Sequence, residues 1–85
     1  MDRQYTIDIK FITLPTVIHA NCNAITFINN STSLTDVAYI NNVPIQPNQS
    51  LSIEGNENEV DKTVYNISFG TSTTATLIVL QKVNK

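Results

Sequence analysis

His19 and Cys22 are the side chains best suited to nucleophilic or metal chemistry, and they stand three apart in H-A-N-C. A Cys–His nucleophile needs both groups within hydrogen-bond reach and a third group to orient the base. On an extended chain, residues at that spacing point to opposite faces, so both are read as structural or surface residues. A zinc site takes about four ligands, and the chain holds one His and one Cys. The other candidate is acidic: Glu54, Asn56, Glu57, Asn58, Glu59 and Asp61 crowd one stretch around Gly55. Oxygen-rich loops hold Ca²⁺ when their spacing wraps one point. Here the spacing departs from the calcium-loop pattern, and a solvated loop is the simpler reading. Paired carboxylates also do acid–base work, yet these share one loop, and there is no Trp to form a sugar platform. Gly55 is isolated and makes no phosphate-cradling loop. No cofactor, no metal and no enzymatic activity are expected.

The elements that would position these residues are strands. At 85 residues the chain is one domain, 1–85. It is 41% hydrophobic and 14% charged, enough apolar material to fold. A domain this small has marginal net stability, so contact with further copies or other subunits is expected to add some. The lone cysteine excludes an internal disulfide. The opening M-D-R-Q-Y-T-I-D-I-K lacks the apolar core of a secretory signal. No apolar run approaches the roughly 20 residues of a membrane helix. A net charge of −2 with one arginine speaks against nucleic acid as a partner.

The clearest local signal is Val37–Ile53, V-A-Y-I-N-N-V-P-I-Q-P-N-Q-S-L-S-I. Asn41-Asn42 between apolar runs predicts a two-residue type I′ hairpin, which needs positive φ at both central positions. That turn sets Ile40 opposite Val43, Tyr39 opposite Pro44 and Ala38 opposite Ile45. Pro44 then falls in the pair whose N–H points away from the hairpin, which predicts an edge strand or ladder end. Gln46-Pro47-Asn48-Gln49 predicts a type I or II turn, with Leu51 and Ile53 crossing to a second sheet.

Elsewhere Gln4–Phe11 alternates, with Tyr5, Ile7, Ile9 and Phe11 on one face. The phase slips at Ile12 and Leu14, which predicts a bulge or crossover near Phe11–Ile12. Val17 and Ile18 form a short strand or lie flat on the core. Ala24–Ile28 is apolar at both parities and reads as central. Asn29–Thr35 is a polar loop. Lys62–Gly70 places Tyr65, Ile67 and Phe69 inward. Thr74–Val83 is apolar at both parities over T-L-I-V-L, so it is expected to be central or covered by a neighbouring subunit. Tyr5, Tyr39, Tyr65, Phe11, Phe27 and Phe69 are expected inward, in the core. With no helical periodicity, the reading is all-β: a single small β-sandwich of about six to seven antiparallel strands. A small β-barrel is the alternative.

Three runs carry a resemblance: I-T-F-I-N-N-S, V-A-Y-I-N-N-V-P-I-Q-P-N-Q-S-L-S-I and E-G-N-E-N-E-V-D-K-T-V-Y-N-I-S-F. Their order of strand, Asn-led turn, Pro-led turn and acidic stretch resembles small virion proteins of crAss-like tailed phages of gut Bacteroidota. Asn42 and Asn48 stand where related sequences often carry Gly. The resemblance implies a capsid-associated auxiliary or decoration protein, or a tail, collar or head-fibre attachment module. It implies as partners the major capsid protein or other virion proteins, multiple copies or a homo-oligomer, and a virion (capsid surface) location after synthesis in the host cytoplasm. It brings no catalytic residues. A carbohydrate- or protein-binding module of a bacterial surface is the competing class. Candidate contact residues are the hairpin tip Asn41 and Asn42, the edge residues Val43 and Pro44, and Glu57, Glu59 and Asp61 of the acidic loop.

Overall fold

The computed structural model describes residues 5–55 and 60–84. Eight strands follow one another: β1 (Tyr5–Ile12), β2 (Thr16–His19), β3 (Ala24–Asn29), β4 (Ala38–Ile40), β5 (Val43–Ile45), β6 (Ser50–Glu54), β7 (Val64–Ser68) and β8 (Leu77–Asn84). Among the described residues there is no helix. Two four-stranded antiparallel sheets form, in the order β1-β8-β3-β6 and β2-β7-β4-β5. The chain is thus a β-sandwich. The strand order has a simple logic: β4 pairs β5, β3 pairs β6, β2 pairs β7 and β1 pairs β8. The eight strands make one long hairpin, bent at Asn41-Asn42 and rolled so that successive pairs alternate between sheets. That arrangement is the eight-stranded jelly roll.

The local turns follow from residue chemistry. Asn41 and Asn42 have φ of 49° and 69°, the two positive angles of a type I′ turn. Ile40↔Val43, Tyr39↔Pro44 and Ala38↔Ile45 face each other, as the turn dictates. Strand β5 is an outer strand of the second sheet, where Pro44 loses no ladder bond. Asn48 has φ 68° and the Gln49 N–H reaches the Gln46 carbonyl at 3.0 Å, which makes the proline turn type II. It sends β6 to the first sheet, beside β3.

The core fills the space between the sheets. Phe27, Ala38, Leu77 and Val79 are fully enclosed, with Ile25, Ile40, Ile67 and Tyr65 around them. Phe27 and Tyr65 meet edge to face, ring centres 5.2 Å apart, a geometry that adds to plain area burial. Strands β3 and β8 are interior to the first sheet, in agreement with apolar residues at both of their parities.

Strand β1 departs from expectation. Its register with β8 runs unbroken from Tyr5↔Asn84 to Ile12↔Leu77, so there is no bulge at Phe11–Ile12; the chain instead crosses to the second sheet between Ile12 and Thr16, the other outcome expected there. Residues directly opposite share a face. Ile12 lies with buried Leu77 and packs on the core. Ile7, Ile9 and Phe11 lie with Lys82, Leu80 and Ile78, on the outer side of the sheet. The phase change marks a strand whose two faces meet different surroundings, and Phe11 is 72% exposed, not inward. Tyr39 is also outward, on the face opposite buried Ala38 and Ile40. Its ring lies over Gly70, whose φ is +60° and where an added Cβ would stand 3.3 Å from Tyr39 Cε2. The last strand starts at Leu77 rather than Thr74, because Thr74 and Thr76 are occupied by loop hydrogen bonds described below.

Candidate functional site

His19 and Cys22 do not form a pair. His19 is exposed on β2, whereas Cys22 is 1% exposed and faces Gln81 Nε2 at 3.8 Å. Burial pushes the Cys22 thiol above its ordinary pKa, against the opposing pull of Gln81. A buried, protonated thiol is a poor nucleophile. No group of three or more His, Cys, Asp and Glu that could hold a metal occurs among the described residues.

Asp61 holds one end of the sandwich together. Its N–H donates to the Cys22 carbonyl at 2.7 Å and its carbonyl accepts from Cys22 N–H at 3.3 Å. Its carboxylate accepts from the Tyr65 hydroxyl at 2.6 Å and from the Thr63 N–H at 2.8 Å. The Thr63 side chain, the Tyr65 hydroxyl and the Thr63 N–H hold the Asp61 carboxyl below the usual carboxylate range. Burial first, and the bond to Asp61 second, push Tyr65 up to about 12. Beside them lies a cleft of about 330 Å³, lined by Asn23, Glu54, Gly55, Asp61, Thr63 and Tyr65 among others. Two of its titratable groups, Asp61 and Tyr65, are committed to each other. Asp61, one of the contact candidates, is half-buried. Glu57 and Glu59 lie outside the described residues.

The hairpin tip is exposed but tied down. Asn41 N–H donates to the Asn66 carbonyl at 2.9 Å, and Asn66 N–H donates to Asn41 Oδ1 at 2.8 Å. The Asn41 side chain thus extends the β4–β7 ladder by one rung. Asn42, Val43 and Pro44 are exposed beside it, at the free edge of the second sheet.

Sequence reading missed a polar cluster under the Asn29–Thr35 loop. Asn29 is fully buried, and its Nδ2 donates to the carbonyls of Asp36 and Ile45, each at 2.8 Å. Its Oδ1 accepts from Ser31 N–H at 3.0 Å. Buried Asp36 accepts from the hydroxyls of Ser72 at 2.6 Å and Thr74 at 2.8 Å. Ser31 Oγ and Thr76 join the two loops. The signal was the pair of hydroxyl-rich runs, S-T-S and T-S-T-T, the first of them just before Asp36. A carboxylate wrapped by hydroxyl donors has its acceptor capacity met within the fold.

The least explained surface is the outer side of the first sheet. Across it run Phe11, Ile78 and Ile28, then Ile9, Leu80 and Thr26, in register. Ile7, Ile9 and Phe11 are 46%, 58% and 72% exposed, and Ile28, Ile78 and Leu80 are half-buried. Polar residues rim this patch: Lys82 and Glu54 at one end, Ser50 and Ser52 along β6. No family model, curated protein or solved structure matches the chain.

Proposed function

We propose that the chain is a non-enzymatic structural protein of a phage particle, a capsid auxiliary or decoration protein bound in many copies. The observation that carries this reading is the apolar outer face of the first sheet, built on Ile7, Ile9 and Phe11. Large contiguous apolar patches rimmed by polar residues mark surfaces that meet a partner. Each Å² withdrawn from water there contributes about 25 cal/mol, and a capsid lattice repeats that gain at every copy. The major capsid protein or another virion protein is the partner, on the capsid surface, after synthesis in the host cytoplasm. The jelly-roll strand order agrees with this role, since capsid domains use it. Lectins and cupins use it too, so the order alone assigns no function. The resemblance of the hairpin and acidic runs to virion proteins of crAss-like phages points the same way.

The test is quantitative mass spectrometry and cryo-electron microscopy of purified particles, with wild-type and Phe11→Ser chains. Many copies on the capsid, lost when Phe11 is replaced, are expected. A position confined to the tail, collar or fibre base would move the proposal to an attachment module. Absence from particles would overturn it.

A further inference from the structure

We infer that β1 pairs antiparallel with β1 of a second copy about a twofold axis at Ile9, joining two first sheets into one continuous sheet. This goes beyond the virion reading and is independent of it, because it needs only the edge of one strand.

The four free edges differ in kind. Strand β5 has three residues and contains Pro44; β2 has four and follows Pro15. Strand β6 has five, with Pro47 just before it. Strand β1 has eight, no proline, and β8 as its sole neighbour among the described residues. A long unblocked edge is a template for another strand. Inward-pointing charges are one usual defence, and β1 carries two, Asp8 and Lys10, on the face toward the second sheet.

Those charges leave one register open. With Ile9 opposite its own copy, Asp8 faces the second copy's Lys10, and Lys10 faces the second copy's Asp8. Ile7 then faces the second copy's Phe11 on the outer side, and Thr6 faces Ile12 on the inner side. A slip of two residues one way sets Asp8 against Asp8; the other way sets Lys10 against Lys10. A slip of one residue lays the apolar face against the charged face. Opposite charges directly across a ladder stabilise it and like charges weaken it. Lys10 Nζ already donates to Gln81 Oε1 at 2.7 Å, which holds it on that side, and an ammonium has three donors to share. The contact is isologous, as a twofold requires.

Sedimentation velocity of the full chain over a concentration series is the experiment, with far-UV circular dichroism to verify each fold. Wild type is expected to be a dimer. Asp8→Lys and Lys10→Asp, each alone, should weaken dimerisation roughly ten- to a hundredfold, by replacing two attractive pairs with two repulsive ones. The Asp8→Lys chain has lysine at both positions and the Lys10→Asp chain aspartate at both. Mixed, they should form a heterodimer at near wild-type affinity, as should the double-swap homodimer. A monomeric wild type, a dimer indifferent to charge reversal, or folded single variants that fail to associate on mixing would each overturn the proposal.

Discussion

The Tyr65 hydroxyl donates a 2.6 Å hydrogen bond to Asp61 Oδ2, so a core aromatic fastens the strand bridge at Cys22. Burial and this bond both favour the protonated phenol, and Tyr65 is pushed up to about 12. A folded value above the unfolded value near 10 stabilises the fold fully below pH 10. That contribution is lost as pH rises from there toward 12. Ultraviolet titration of tyrosinate should show a component with a midpoint near 12 that disappears in Tyr65→Phe. A titration curve unchanged by the substitution would contradict the assignment.

Asp61 has the opposite sign. Its folded value lies below the ordinary aspartate value of 3.8, so its contribution is complete above that pH. It fades as pH falls through the folded value. Asp61→Asn should cost about 1–2 kcal/mol at neutral pH, measured by urea unfolding. The deficit against wild type should shrink as both chains are taken to acid. A constant deficit at every pH would mean the carboxylate charge plays no part.

Asn29 and Asn30 are neighbours with unequal weight. Asn29→Ala leaves two buried carbonyls and a buried N–H without their partner. Each such loss costs on the order of 1–3 kcal/mol, so a total of at least about 3 kcal/mol is expected. Asn30 is exposed, and Asn30→Ala should stay within about 0.5 kcal/mol. Thermal melts of the two variants decide the point.

Cys22 should resist Ellman's reagent in the native state, since burial shields it and pushes the thiol up. Reaction should become complete on unfolding in guanidinium. Gln81→Ala removes the bond that pulls the thiol down and also the donor to the Ala20 carbonyl. It is expected to lower stability while loosening access to Cys22. Fast labelling of the folded wild-type chain would refute the buried placement.

What the sequence discloses here depends on the range of the interaction. Asn41-Asn42 fixes its turn by local φ preference, and Pro44 announces an edge by the donor it lacks; both needed nothing beyond a few neighbours. The centrality of β3 and β8 followed from apolar residues on both faces. Alternation in β1, however, shows only that its faces differ. Which face turns inward depends on how far the second sheet reaches, and it stops short of Thr6, Asp8 and Lys10, all exposed. The Asp36 cluster was hidden for a related reason. Ser72 and Thr74 lie in another loop, far along the chain, and polar runs look solvated until a carboxylate gathers them.

The nested pairing of β4–β5 inside β3–β6, β2–β7 and β1–β8 also gives the fold an order of assembly. Each outer pair closes a long loop if formed alone, at a cost that grows with length. It closes only a short one when the pair inside it exists. The chain should therefore zip outward from Asn41-Asn42, with β1–β8 as the last rung. A chevron for Asn42→Ala, which places a residue averse to positive φ at the pivot, should show slower folding. A weakened rung at Ile12 should chiefly speed unfolding. The strand that arrives last is then also the first to peel.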